Sequence, residues 1–287
     1  MTNNVFFTPY KVSTITCNSN IGINIDINLS ILFDNITPID DINNIIWIQN
    51  LKNNNEFSKG FYPKKIRKSK KNKKKKNRFD NQITIIYKIT NTYMPNIKIF
   101  KNGNIQLTGI KNIEDTEKIS NHIINYIKHI YNNIDKNISN NDNKDFINSL
   151  YYKDFKIRMI NTDFKSYLDE NHTEKFYIKR RELHNILISD KYENKSSFQP
   201  GIYQGVKLEY YYNKNNNGKC ICENHLYNKK NINTDCKKVT IAIFESGSIL
   251  ITGGINFEQV EKAYNYITKI IKDNCNTIYK KKIELII

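Results

Sequence analysis

The sequence predicts an α+β fold: a curved antiparallel sheet with helices on one face and the other face open, built twice along the chain. Three observations predict it. Residues 97–128 and 241–272 align at a constant offset of 144, without a gap, with 15 of 32 positions identical. Within each copy two short stretches of period-two alternation flank a polar, Gly-containing turn, and a run of helical periodicity follows. Upstream of each copy the same signals recur in the same order, a strand, a short helix and a further strand. The chain uses Asn, Ile and Lys heavily, as an A+T-rich genome would. Such bias supplies scattered Ile and Asn identities, but it does not align Phe100 with Phe244, Gly103 with Gly247, Thr108 with Thr252 and Gly109 with Gly253.

In order, the first half reads as a strand at Lys11–Thr16, a short helix at Ile27–Phe33 and a strand at Gln82–Ile89. A hairpin follows, Ile97–Phe100 and Ile105–Thr108 about the turn Lys101-Asn102-Gly103-Asn104, because Asn-Gly between apolar alternations favours a tight reversal. Ile113, Ile119, Ile123, Ile127 and Ile130 then mark a helix. The stretch from about 37 to 78 falls outside the duplicated pattern and reads as an insertion. Residues 132–150, rich in Asn and Asp, read as a linker. The second half repeats the grammar with strands at Phe155–Ile160 and Val206–Tyr212 and a helix candidate at Arg181–Ile188. Its last helix is marked by Phe257, Val260, Tyr264, Ile267 and Ile271. The expected domains are a first repeat over 8–131, a second over 151–274 with a hairpin insertion at 213–237, and a tail from 275 to 287.

Period-two alternation gives each hairpin two faces. Ile97, Ile99, Ile105 and Leu107, matched by Ile241, Ile243, Ile249 and Ile251, are all branched and apolar, so this face should pack on the helix. The opposite face carries Lys98, Phe100, Gln106 and Thr108, matched by Ala242, Phe244, Leu250 and Thr252. A Phe beside the turn on a non-core face either packs under a loop or binds something, and its recurrence in both copies favours binding.

Composition narrows the class. The 287 residues carry a formal charge of +17, and eleven Lys or Arg with no acid fall in Lys64–Arg78. That run reads as a polyanion contact, a nuclear-import signal or a solvated loop. No apolar run is long enough to span a membrane, and the start lacks the order of a signal peptide. An odd count of 5 Cys argues against a disulfide framework and for an intracellular protein. Cys220, Cys222, His225 and Cys236 offer three thiols and an imidazole to a structural zinc in the 213–237 hairpin; free thiols or a local disulfide are the alternatives. No Gly-rich phosphate loop, HExxH, Ser elbow or paired-carboxylate motif is present, no cofactor is required, and His122, His129, His172 and His184 are scattered, so no enzyme is expected.

Several motifs resemble the TATA-box-binding protein family. Ile243-Phe244-Glu245-Ser246-Gly247 followed by Thr252-Gly253 resembles its IFxSGxxxxTG signature, and Ser196-Ser197-Phe198-Gln199-Pro200-Gly201-Ile202-Tyr203-Gln204-Gly205 its SSYEPELFPG stretch. Phe155-Lys156-Ile157 is similar to the start of the family's second repeat. Val12-Ser13-Thr14, Arg78-Phe79 and Ile99-Phe100 with Thr108-Gly109 are similar to landmarks of the first. The resemblance implies a tandem pseudo-twofold saddle of about ten strands, with helices on the convex face and a concave face that binds the DNA minor groove.

It further implies a DNA-binding general transcription initiation factor that bends A+T-rich promoter duplex, from a large DNA virus or a divergent protist. Two aromatic pairs, Phe79 with Phe100 and Tyr203 with Phe244, would wedge between base steps. Thr108 and Thr252 would reach base edges, Lys98, Gln106 and Asn161 would stand at groove-floor positions, and Val12, Met159, Ala242 and Leu250 would be further DNA-binding residues. Where the family places an Asn near the start of each repeat, this chain has Tyr10 and Met159. The acids that meet transcription factor IIB are replaced in Phe198-Gln199-Pro200-Gly201. Double-stranded DNA, a transcription factor IIB-like factor and RNA polymerase are the implied partners. The implied location is the nucleus if the protein is cellular, and a viral factory or virion if viral. The competing reading is a scaffold for transcription machinery with weak or non-specific DNA binding.

Overall fold

A computed structural model describes residues 4–22, 25–52, 55–62, 81–135, 142–215, 218–222 and 236–281. Phe79, His225 and the basic run Lys64–Arg78 lie outside the described residues. The elements run β1 (Phe6–Phe7), β2 (Lys11–Gly22), α1 (Leu29–Asn35), β3 (Asn44–Lys52), β4 (Asn55–Gly60), β5 (Gln82–Lys88), β6 (Asn96–Phe100), β7 (Asn104–Ile110), α2 (Glu114–Asp135) and α3 (Asp142–Ser149). They continue with β8 (Leu150–Tyr167), α4 (Arg180–Ile188), β9 (Lys195–Ser197), β10 (Val206–Tyr212), β11 (Lys237–Ile243), β12 (Ser248–Gly254), α5 (Phe257–Asp273) and α6 (Cys275–Ile278). The chain divides into two compact units, Ile15–Ile157 and a second made of Met1–Thr14 with Arg158–Ile287.

In the unit Ile15–Ile157 the strands lie antiparallel in the order β4-β3-β5-β6-β7-β2. The branched face behaves as its pattern dictates: Ile97, Ile99, Ile105 and Leu107 are fully buried with Ile83, Ile85 and Cys17. Ile119, Ile123, Ile127 and Ile130 of α2 are buried too. Each such side chain contributes about 1.5–3 kcal/mol through removal from water. Small residues let α2 come close to β2, where Ser19 Oγ and Ser120 Oγ stand 3.5 Å apart.

In the second unit the order is β8-β12-β11-β10-β9, with β1 beside β8. Ile241, Ile243, Ile249 and Ile251 are fully buried, as are Val260, Ile267 and Ile271 of α5. Asn256 caps α5 by accepting from Gln259 N at 2.9 Å, while Gln259 Oε1 accepts from Ile255 N at 2.9 Å. Phe257, expected on the apolar stripe, is exposed at the first turn, and Tyr264 is half-buried against Phe164.

Each hairpin turn contains a Gly at positive φ, Gly103 at 77° and Gly247 at 78°. Each Thr-Gly landmark is a β-bulge: β2 passes from Ile15↔Ile110 to Thr16↔Thr108, and β8 from Ile160↔Gly254 to Asn161↔Thr252. The extra residues, Gly109 at φ 87° and Gly253 at 95°, would meet no atom closer than 3.6 Å through an added Cβ, so backbone conformation rather than space demands glycine.

Among the described residues there are twelve strands, the expected ten plus β1 and β4. The stretch taken from the sequence as an insertion, about 37–78, carries β3 and β4, and β3 pairs with β5 as β9 pairs with β10. Much of the expected linker, 132–150, is the end of α2 and α3. The tail from 275 begins with α6, whose Ile278 is fully buried.

Candidate nucleic-acid interface

The face away from the helices is built from cross-strand rows. In the second unit one row runs Asn161, Thr252, Thr240, Glu209, Lys195, and the next Asp163, Leu250, Ala242, Lys207, Ser197. With Tyr203 the outer strands line an open groove of ≈ 480 Å³. Its acids are compensated. Lys195 stands 3.2 Å and Lys238 3.4 Å from Glu209, and Lys11 stands 3.6 Å from Asp163. Burial raises the Glu209 pKa, but the Tyr211 hydroxyl and the two lysines outweigh it and hold the carboxyl below its ordinary value.

An aromatic pair edges this face. Phe244 follows Ala242 with the same side-chain direction, and its ring centroid lies 5.7 Å from that of Tyr203. Lys207 Nζ sits 4.2 Å over the Tyr203 ring. Neither ring is in the core. Gly205 makes the pair possible, since a Cβ there would stand 2.9 Å from Tyr203 and 3.2 Å from Phe244.

Arg180, at the start of α4, ties together the two loops that carry these rings. Its guanidinium donates to the Gln204 carbonyl and, at 3.0 Å, to Gln204 Oε1, next to Tyr203. Its other terminal nitrogen donates to Glu245 Oε2 at 2.9 Å, next to Phe244. Lys280 Nζ reaches Glu245 Oε1 at 2.6 Å. The Lys280 hydrogen bond first, then both cations' charges, hold the Glu245 carboxyl below its ordinary range. Ile202 lies beside the pair and is 85% exposed.

In the unit Ile15–Ile157 the corresponding row runs Asn18, Gln106, Lys98, Thr84, Gln49. The next runs Thr16, Thr108, Asn96, Ile86, Trp47. Trp47 and Ile86 are buried there with Met94, and Tyr62 packs edge-on to Trp47 at 4.9 Å. Phe100 is half-buried opposite Gln82.

The structure brings Lys98, Phe100, Gln106 and Thr108 onto one face, and Asn161, Tyr203, Ala242, Phe244, Leu250 and Thr252 onto another. Met159 is half-buried on β8 beyond the bulge. By register the partner of Thr108 is Thr16, so Thr16 and not Val12 occupies the place that Asn161 has opposite Thr252. Tyr10, aligned with the family's Asn, packs against Tyr264 of α5 at 5.5 Å, on the helix side. Residues that the sequence reading missed include Asp163, Lys207, Glu209, Gln49, Thr84 and Trp47. Ladder register is the signal that finds them, and it needs the pairing of distant strands.

A second cluster lies at the far end of the β10–β11 hairpin. Cys220, Cys222 and Cys236 place their sulfur atoms within 4.8 Å of one another. Burial opposes ionisation of Cys236, but N–H groups of Ile221 and Asn213 outweigh it and lower the thiol's pKa. Burial and then the neighbouring sulfurs push Cys222 up to about 11.

These features define a class: a duplicated α+β sheet protein with a sheet face edged by aromatic turns. Comparison with known proteins narrows it. The family model described as "Transcription factor TFIID (or TATA-binding protein, TBP)" matches residues 195–274. A "TATA-box-binding protein-like" protein of Acanthamoeba polyphaga mimivirus is 32% identical over 283 residues, covering 96% of this chain and 67% of that one. The structure described as "Methanococcus jannaschii TBP" aligns with a TM-score of 0.46 at 16% identity, over 93% of this chain and 99% of that one. The chain belongs to the TATA-box-binding protein family, a non-enzymatic family of DNA-binding, transcription-related proteins, as a divergent member of viral kind. No helix among the described residues is long and apolar enough to cross a membrane.

Proposed function

We propose that this protein is a transcription initiation factor that binds A+T-rich promoter duplex through the minor groove and bends it. The observation that carries the reading is the Tyr203–Phe244 pair, outside the core at the edge of an open sheet face and fixed from both sides by Arg180. Aromatic wedges that enter a base step unstack it at a cost of about a few kcal/mol, offset by the contact a bent duplex makes with the sheet. Phe100, on the equivalent turn, is the second wedge, and its proposed companion is Phe79.

The chemistry of the rows suits the target. An A·T pair shows only acceptors in the minor groove, whereas G·C adds a donor. Asn18, Gln106, Lys98, Thr108, Thr252 and Asn161 supply donors, and Leu250 with Ala242 supplies apolar floor. The protein acts without catalysis, as the family does. A transcription factor IIB-like factor and RNA polymerase are proposed partners, with the exposed Ile202 as the contact beside a stretch that has lost its acids. A viral factory or virion is the proposed location.

The test compares A+T-rich and G+C-rich duplexes by fluorescence polarisation, with end-to-end distance by energy transfer. Preference for the A+T-rich duplex with shortening is expected, lost in Phe244→Ala and Phe100→Ala. Asp163 and Glu209 on the sheet face favour a second reading, a scaffold for transcription machinery. Equal affinity for both duplexes with no change in end-to-end distance would establish it over the first.

A further inference from the structure

The connection between β10 and β11 is long, yet it leaves and returns at neighbouring points, since Tyr212 and Lys237 are ladder partners. Cys236 immediately precedes the returning strand, and Cys220 and Cys222 lie on the outgoing arm. Asn213, 4% exposed, locks the junction: its amide donates to the Lys219 carbonyl at 2.7 Å and to Cys236 Sγ at 3.3 Å. Ile221 N donates to the same sulfur at 3.3 Å. Two N–H donors aimed at one buried sulfur make an environment for a thiolate, and outer hydrogen bonds of this kind orient metal-binding sulfurs.

We infer that Cys220, Cys222 and Cys236 bind one structural zinc ion. With Zn–S bonds of about 2.3 Å, a tetrahedral site sets its sulfurs about 3.8 Å apart. The observed cluster, all within 4.8 Å, needs only a small contraction. Thiolates select zinc over calcium or magnesium, and an iron–sulfur cluster calls for four cysteines, not three. A disulfide would use two of the sulfurs and strand the third. Three thiolates leave one tetrahedral position; the sequence expectation assigns it to His225, which lies outside the described residues.

The ion is a staple for the hairpin's outer end. The outgoing arm rests on α5, where Gly218 faces the Tyr266 ring so closely that a Cβ would stand 2.7 Å from it. It is also tied to β10 by Tyr211 N donating to the Gly218 carbonyl at 3.0 Å. Tyr266 packs on the buried Tyr210, so the arm sits on the helix side of the sheet. Metal binding to a site that forms only on folding adds directly to stability. The inference is independent of the DNA reading, because the staple and the aromatic pair lie on different faces of the second unit.

The experiment is elemental analysis of the full chain purified under reducing conditions, with thermal melts before and after chelation. About one zinc per chain is expected, retained in Cys275→Ser and reduced roughly tenfold or more in Cys236→Ser. Chelation should lower the melting temperature of the wild type and leave Cys236→Ser unmoved. Cobalt replacement should give a thiolate-to-metal charge-transfer band. Reduced, cooperatively folded wild type that contains no zinc and takes up none from Zn²⁺ solution would overturn the inference. So would full zinc retention in Cys236→Ser, or a disulfide mapped among the three cysteines in freshly purified protein.

Discussion

The turns that carry Phe100 and Phe244 share a backbone and its hydrogen bonds, and differ in the side chains that anchor them. Both place Gly at the same positive φ and present a Phe at the same register. Beyond Phe244 the next residue is Glu245, gripped by Arg180 and Lys280, and Arg180 is only 19% exposed. Beyond Phe100 it is Lys101, whose partner Asp26 stands 3.2 Å away with both side chains more than half exposed. The charges are reversed and the burial is lost. Duplication preserved what the backbone requires, and the anchoring diverged around it. An exposed pair contributes about 0.2–1 kcal/mol or nothing at all, while a partly buried, multiply bonded one holds geometry.

That contrast can be broken in graded steps. Phe244→Ala should weaken A+T-rich duplex binding most, about a hundredfold or 2.7 kcal/mol, with the bend reduced. Phe100→Ala should act in the same direction and somewhat less, and polarisation titrations read both. Arg180→Ala leaves both rings in place but unties their loops, so a loss of about tenfold is expected, smaller than for the ring itself. If Arg180→Ala changes nothing, the clamp does not position the pair. Asp26→Ala, the equivalent test in the first repeat, should stay within about twofold.

The smallest expected effect concerns acid. The His122 Nδ1 atom of α2 lies 2.6 Å from the Tyr87 hydroxyl, which donates to the Asn43 carbonyl at 2.8 Å; the ring also lies near Tyr126, and burial lowers the His122 pKa. The unfolded chain therefore takes up a proton first. Stability of the unit Ile15–Ile157 is full above the unfolded value near 6.5 and falls as pH drops below it toward the folded pKa. The equivalent position in the second repeat is Tyr266, which does not titrate in this range. His122→Tyr should flatten the melting temperature between pH 7 and 5, a change of roughly a few °C.

Local pattern was legible where it was strong. Val206–Tyr212 reads as a strand from alternation alone, and both branched faces are the buried ones. β3 was hidden because Asn44–Lys52 has no copy at the constant offset, and its place in the sheet comes from pairing with β5. The place of Thr16 was hidden for a different reason. Thr16 lies four residues beyond Val12, and an even slip along a strand leaves every side chain on its own face. Alternation is blind to such a slip; only the ladder, with Gly109 as its extra residue, fixes it. The aromatic pair was legible as residue types, whereas Arg180, far from both rings in sequence, was not.

The second unit is not contiguous in the chain. Phe6 and Phe7 extend β8, Thr8 N donates to the Lys165 carbonyl at 3.0 Å, and Tyr264 OH donates to the Thr8 carbonyl at 3.0 Å. Residues 6–8 are therefore made well before α5, and their packing waits for it. A fragment beginning at residue 158 would be born without β1, and removing residues 4–10 would damage a unit most of whose residues lie beyond 157.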